Sequence, residues 1–126
     1  MPQPNIVLVE WSRVICEVDS EKLTFKDAKV YPSRVEEWDW GNSGTRHNPG
    51  VAITDVLDLM DAGCTHIIVT SGMHDKLMSR PLQEAFKNNV CVISQLLYCN
   101  TSKVKDLYDD LVSRGYIVGA LIHSTC

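Results

Sequence analysis

The chain has 126 residues, of which 44% are hydrophobic and 22% charged, with a formal net charge of -4. This length suits one compact domain, so we expect a single domain over residues 1–126. Lysines and arginines are scattered among the acids, which argues against a nucleic-acid partner. The apolar runs fall far short of the roughly 20 residues that a membrane-spanning helix needs, which argues against a membrane partner.

The N-terminal residues and the cysteines bear on the cellular compartment. The N-terminal sequence shows neither the apolar core of a secretory signal nor the Arg-rich pattern of a mitochondrial presequence. The five cysteines are odd in number and include no Cys-x-x-Cys pair, unlike disulfide frameworks and zinc motifs. We therefore expect a cytoplasmic protein with reduced thiols, and without a metal or other cofactor.

The first quarter of the chain is typical of β-structure. Residues 6–31 contain β-rich runs at 6–9, 14–16 and 23–25, separated by polar turn residues. This pattern predicts an antiparallel meander. Residues 32–50 then contain three glycines and two prolines, which predicts a long connecting loop packed across the meander.

The remaining sequence alternates helical and strand patterns. The predicted elements are a helix capped by Thr54 and ended by Gly63, a strand at 66–70, a helix starting near Ser79 and Pro81, a strand at 90–93, a helix after Thr101 or Ser102 ended by Gly115, and a strand at 116–122. Because each connection holds a full helix, the three strands are expected to be parallel. The predicted fold class is α/β: an antiparallel meander joined to a βαβαβ unit, with a mixed central sheet and flanking helices.

Several local strings carry a family resemblance. They are FKDAKVYP at 25–32, WDW at 38–40, GTRHNPGV at 44–51, SGM at 71–73 and HSTC at 123–126. In this order, and over nearly the whole chain, they resemble the adipogenesis-associated Mth-domain-containing proteins. The resemblance implies a compact α/β fold with a mixed sheet, a cytoplasmic protein without an established enzymatic activity, and a role in pre-adipocyte differentiation. The chain departs from its relatives at residues 70–72, where they show Gly-x-Gly, and this weakens the case for a phosphate-cradling loop.

A candidate site follows from the predicted topology. Parallel strands would gather Ser71 and Gly72, Ser94 and Gln95, and His123 and Ser124 at one edge of the sheet, where open α/β sheets bind ligands. The tryptophan-rich loop can fold beside that edge and complete a partly apolar pocket. The predicted groove residues are Trp38, Asp39, Trp40, Arg46, His47, Ser71, Gly72 and His123.

Each of these residues also has a structural interpretation, which we favour for the loop. Trp38 and Trp40 can cover apolar sheet surface while Asp39 bonds the loop backbone, and His47 can fix the turn that follows it. His123 and Cys126 are three residues apart and could form a thiolate nucleophile, although the end of this sequence is a poor place to hold that geometry. We predict no catalytic residue.

Two functional hypotheses remain. The first is a non-enzymatic regulatory or scaffolding protein that contacts a protein partner through residues 38–50 and the nearby sheet edge. The second is a small enzyme or ligand-binding protein, hydrolytic or redox, that uses Asp39, His47, Ser71 and either His123 or Cys126. Surface strands of such a domain can also pair in a homodimer.

Overall fold

The chain forms two β-sheets, and helices lie beside both faces of the larger sheet. A computed structural model describes residues 3–87 and 95–126, apart from the side chains of residues 86 and 87. The smaller sheet consists of β1 (Asn5–Glu10), β2 (Arg13–Val18) and β3 (Glu21–Phe25), paired antiparallel in sequence order. The predicted meander is therefore confirmed, and it forms a sheet of its own.

The larger sheet is mixed. Its strands in spatial order are β5 (Val35–Glu37), β4 (Asp27–Val30), β8 (Val118–His123), β6 (His66–Thr70) and β7 (Gln95–Cys99). Strands β8, β6 and β7 are parallel neighbours, whereas β4 pairs antiparallel with both β5 and β8. The α/β fold class and the mixed central sheet are confirmed.

The helices divide the core into two parts. They are α1 (Trp40–Ser43), α2 (Ile53–Asp61), α3 (Arg80–Lys87) and α4 (Val104–Ser113), and a 3-10 turn, Thr101–Lys103, leads into α4. Within β8, Ala120 and Ile122 pack with α4 and the smaller sheet, while Leu121 packs with α2 and Trp38 on the opposite face. This alternation is the period of two expected from a strand buried on both faces. No helix within the described residues is long and apolar enough to cross a membrane.

Two expectations about residues 32–54 are wrong. The segment 32–50 is not simply a loop, because it contains β5 and α1. Thr54 does not cap α2, because that helix follows Ala52 and has no side-chain cap. The Thr54 hydroxyl instead donates to the Ser43 carbonyl at 3.4 Å, at the end of α1. Gly63, with a φ of 94°, does follow the helix end as predicted.

The last two predicted strands cover residues 90–93 and 116–122. The predicted strand at 90–93, like Ser94, lies outside the described residues. Gln95 opens β7, so it lies at the edge opposite to the one predicted, and Cys99 ends that strand. The final strand begins at Val118, two residues later than predicted, because Tyr116 and Ile117 are exposed outside it.

Candidate functional site

The site is built around a buried carboxylate–histidine pair. The antiparallel register of β4 and β8 sets Asp27 opposite His123, and both residues are buried. The Asp27 Oδ2 atom lies 3.0 Å from His123 Nδ1, and Oδ1 accepts the Ser124 backbone N–H at 2.9 Å. An ionised carboxylate only accepts hydrogen bonds, so this contact favours the neutral tautomer that carries its proton on Nδ1. His123 is thereby held in one orientation, with Nε2 3.3 Å from the Thr125 hydroxyl oxygen.

The residues after β8 dock against the turn that follows β6. The Met73 N–H donates to the Thr125 carbonyl at 2.6 Å, and the Lys76 N–H donates to the Cys126 carbonyl at 2.8 Å. Gly72 has a φ of 91°, and a Cβ atom there would lie 2.4 Å from the carbonyl carbon of Cys126. Glycine is therefore required by both conformation and space. Backbone hydrogen bonds therefore tie the residues after β8 to this turn.

Two aromatic side chains from the connecting segment lie against His123. Trp40 starts α1, and the Asp39 carboxylate caps that helix by accepting the Asn42 N–H at 3.3 Å. The Trp40 and His123 ring centroids are 4.7 Å apart, and His47 lies 4.9 Å from Trp40 and 5.2 Å from His123. The three rings form one aromatic cluster at the carboxyl edge of β8.

Cys126 completes this cluster. Its Sγ lies 3.5 Å from the Nε2 atom of His47, and its side chain is half-buried. One ring nitrogen of His47, one of His123 and the Cys126 sulfur all lie within 4.8 Å of one another. Three groups that can bind a metal ion or move a proton therefore meet at this point.

A second buried carboxylate, Asp55 on α2, holds the connecting segment in place. It accepts hydrogen bonds from Trp38 Nε1 at 3.0 Å, Ser43 Oγ at 2.7 Å and Thr45 Oγ1 at 2.5 Å. Its other oxygen lies 3.2 Å from Lys29 Nζ. Four side chains from β4 and the segment before α2 thus converge on one acceptor, which positions Trp40 and His47 indirectly.

Lys29 is charged despite being only 5% exposed. Burial alone would lower the pKa of this ammonium group, but the hydrogen bond with Asp58 and the charge of Asp55 outweigh it, and the pKa is raised. The Lys29–Asp58 distance is 2.8 Å. The buried cation is therefore paired on two sides, as a low-dielectric interior requires.

An open groove of about 660 Å³ lies beside the aromatic cluster. Its floor is partly apolar, and its rim carries groups of both charge signs. The lining residues are Lys26, Asp27, Glu37, Trp38, Asp39, Trp40, Gly41, His47, His123 and Thr125. The volume and the mixed lining suit a small molecule or a peptide side chain.

Of the predicted groove residues, five line this groove and three do not. Trp38, Asp39, Trp40, His47 and His123 line it. Arg46 instead donates to the carbonyls of Trp40 and Thr45. Ser71 donates to Asp75 Oδ1 at 2.5 Å beside a separate cavity. Gly72 packs against Cys126. Ser71 and Gly72 lie in the turn that follows β6, and their contacts are with Asp75 and Cys126 instead of the groove.

The structural interpretation of the tryptophan pair is confirmed in part. Trp38 is 3% exposed within the core around α2, and Asp39 bonds the backbone as a helix cap. Trp40 is half-buried and contributes both to this core and to the groove. Its indole N–H is buried and meets no acceptor among the described residues.

Asp27 is the main site residue that sequence reasoning missed. It lies in β4, two residues before Lys29, so both side chains point to the face that carries α2. Alternation of polar residues with Ala28 and Val30 is a signal for such a strand, but it does not reveal that the polar face is buried as well. The partners of Asp27 and Lys29 are distant in sequence.

The thiols also differ in their surroundings. None of the four cysteines within the described residues forms a disulfide. Burial raises the pKa of the Cys16 and Cys99 thiols to about 11 and that of Cys64 to about 12. These three thiols stay protonated near neutral pH.

Solved structures show the same fold. MT938 matches with a TM-score of 0.68 and 20% identity over 98% of this chain and 99% of its own. The conserved hypothetical protein PH1505 from Pyrococcus horikoshii OT3 matches with a TM-score of 0.69 and 18% identity, covering 97% and 99% of the two chains. XCC1710 from Xanthomonas campestris matches with a TM-score of 0.67 and 11% identity, covering 98% and 86%. No protein-family model matches the sequence.

Proposed function

We propose that this protein is a non-enzymatic regulatory or scaffolding domain that binds a protein partner through the groove around Trp40. The observation that carries the proposal is Trp40 itself. Its ring is half-buried at an open groove, and its indole N–H lacks an acceptor among the described residues. A buried donor left without an acceptor costs about 1–3 kcal/mol. A partner that packs an apolar side chain against the half-buried ring gains free energy by covering it, and a partner carbonyl recovers the cost of the lone N–H if the ring turns outward on binding.

The other polar groups of the groove support binding over catalysis. Asp39 caps α1, and Asp27 is engaged by His123 and by the Ser124 backbone. Ser71, the candidate hydroxyl nucleophile, is bonded to Asp75 away from the groove. Each of these groups therefore already has a structural partner.

The cellular setting of this proposal rests on sequence resemblance. The strings that resemble the adipogenesis-associated Mth-domain-containing proteins include WDW and HSTC, which supply Trp40, His123 and Cys126. We therefore place the proposed partner in the cytoplasm, and the proposed role in pre-adipocyte differentiation.

The test is affinity capture with variants matched for residue type. Trp38→Ala is unsuitable because Trp38 is buried and bonded to Asp55. Trp40→Ala and His47→Ala alter the groove, whereas Trp11→Ala removes a tryptophan that is 54% exposed outside it. After circular dichroism confirms that all three fold, we expect proteins retained by the wild type and Trp11→Ala to be lost from the groove variants. Capture unchanged in both groove variants would contradict the proposal.

A small enzyme or ligand-binding protein is the second candidate, favoured by the approach of Cys126 Sγ to His47 Nε2. The structure brings Cys126 closest to His47, whereas the sequence suggested His123 as its partner. A ligand-screened thermal shift assay separates the candidates, because a molecule that binds only the folded state raises the melting temperature. A hit whose shift disappears in Cys126→Ser, but persists in Cys99→Ser, would favour this second function.

A further inference from the structure

We propose that His47, His123 and Cys126 form a binding site for a thiophilic divalent cation of the Zn²⁺ class. The inference goes beyond partner binding and does not require it. It rests first on the meeting of two imidazole nitrogens and one sulfur within 4.8 Å. Imidazole and thiolate together select Zn²⁺ over Mg²⁺ and Ca²⁺, which prefer oxygen ligands.

The second support is the preparation of His123 as a ligand. Metal-bound histidines commonly donate their other ring N–H to a carboxylate, which fixes the tautomer and raises the basicity of the ligating nitrogen. Asp27 makes this contact to Nδ1 at 3.0 Å, and both residues are buried. The tautomer favoured by Asp27 leaves the lone pair of His123 Nε2 for a metal, which would replace the 3.3 Å contact of that atom with the Thr125 hydroxyl.

The third support is how the ligands are held. Cys126 is fixed through its carbonyl by the Lys76 N–H, and the preceding carbonyl accepts from Met73. His47 is exposed and packs edge-on against Trp40. The His47 carbonyl accepts the Met78 N–H at 3.1 Å, and His123 lies within β8. All three ligands are thus anchored through the backbone, while the exposed His47 ring can adjust to the ion.

The distances are compatible with a tetrahedral ion after a small contraction. With bonds of about 2.0–2.1 Å to nitrogen and about 2.3 Å to sulfur, ligand atoms of a tetrahedral site lie roughly 3.4–3.7 Å apart. The Cys126–His47 pair, at 3.5 Å, already meets this spacing. Binding would form two Zn–N bonds and one Zn–S bond, and the Cys126 thiol would release its proton to the buffer.

Three protein ligands leave one coordination position, and two of the ligands, His47 and His123, line the groove. Structural zinc sites usually have four protein ligands, whereas sites with three keep the fourth place for water or another molecule. Asp27 is a positioning residue in this arrangement, because its two oxygens are engaged by His123 and Ser124. The proposed ion would therefore be accessible and exchangeable.

The experiment is titration of the reduced, metal-stripped protein with Zn²⁺ by calorimetry and with Co²⁺ by absorption spectroscopy. We expect one ion per chain, and Co²⁺ spectra with tetrahedral ligand-field bands and a thiolate charge-transfer band. Cys126→Ser should remove the charge-transfer band, and both Cys126→Ser and His47→Ala should weaken Zn²⁺ binding by at least about tenfold. Mg²⁺ should give no saturable heat.

Matched variants outside the cluster serve as controls. Cys99→Ser changes a half-buried thiol, and His74→Ala changes an exposed imidazole. Both should bind Zn²⁺ and Co²⁺ like the wild type. The inference is overturned if the wild type binds no stoichiometric Zn²⁺, or if the folded Cys126→Ser and His47→Ala variants bind as tightly as these controls.

Discussion

At the scale of single residues, two buried carboxylates organise this part of the molecule. Asp27 aligns His123 within the sheet, and Asp55 gathers Lys29 and three donors from the segment that carries Trp40. Several buried groups would lose a hydrogen-bond partner without them. Removing either carboxylate should therefore lower the free energy of unfolding strongly, because its former partners stay buried.

Asp55→Ala should lower the free energy of unfolding by about 3–5 kcal/mol, because it breaks a buried ion pair and leaves three donors without their acceptor. Asp58→Ala removes a carboxylate from the same lysine, but the Asp58 side chain is 58% exposed. This control should cost no more than about 1 kcal/mol. Urea unfolding of the two variants measures the difference, and equal costs would show that Asp55 is not the central acceptor.

At the scale of elements, the patterns that depend on local sequence were the predictable ones. Strand β6 was predicted at residues 66–70 because a β-branched run is typical of a strand covered on both faces. The helix after Thr101 followed from its apolar spacing, and Tyr108 is buried as expected. Periodicity was enough for these elements because their own side chains form the core.

The elements that were missed depend on contacts distant in sequence. Helix α1 has only four residues, and Ser43 and Thr45 at its end are held by Asp55 on another element. Strand β4 carries Asp27 and Lys29 on a buried face, where His123 is hydrogen-bonded to Asp27 and Asp55 is paired with Lys29. Local patterns do not encode such pairings.

The same distinction applies to the site. Trp38, Asp39, Trp40, His47 and His123 were predicted as groove residues because the topology brings their segments to one sheet edge. The same segments contain Arg46, Ser71 and Gly72, which do not line the groove. The direction of a side chain after a strand depends on the turn that follows it. The turn after β6 directs Ser71 to Asp75 and commits Gly72 to the backbone of Cys126.

Gly72→Ala tests this docking of the C-terminal residues on the turn. The added methyl group would overlap the Cys126 carbonyl at a positive φ, so we expect a loss of about 2–3 kcal/mol and displacement of Cys126 from His47. Gly63→Ala has a similar φ of 94°, but its Cβ would meet no atom within 4 Å. It should cost only about 1–2 kcal/mol. Equal melting temperatures for the two variants would contradict the close contact at Gly72.

At the scale of the whole molecule, the site exists only when the entire sheet is assembled. Asp27, His47 and the pair His123 and Cys126 come from three separate segments, which meet where β4 and β8 pair and where the turn after β6 supports the C-terminal residues. The meander and α4 cover one face of the sheet, and α2 covers the other. This assembly places the His123 ring beside the rings of His47 and Trp40.

Long-range proton–nitrogen NMR of the His123 imidazole, recorded with side-chain nuclear Overhauser effects, tests that placement most directly. We predict the tautomer protonated at Nδ1, and cross-peaks between the His123 ring and the rings of Trp40 and His47. Protonation of the neutral ring at Nε2, or the absence of those cross-peaks in the folded protein, would contradict it.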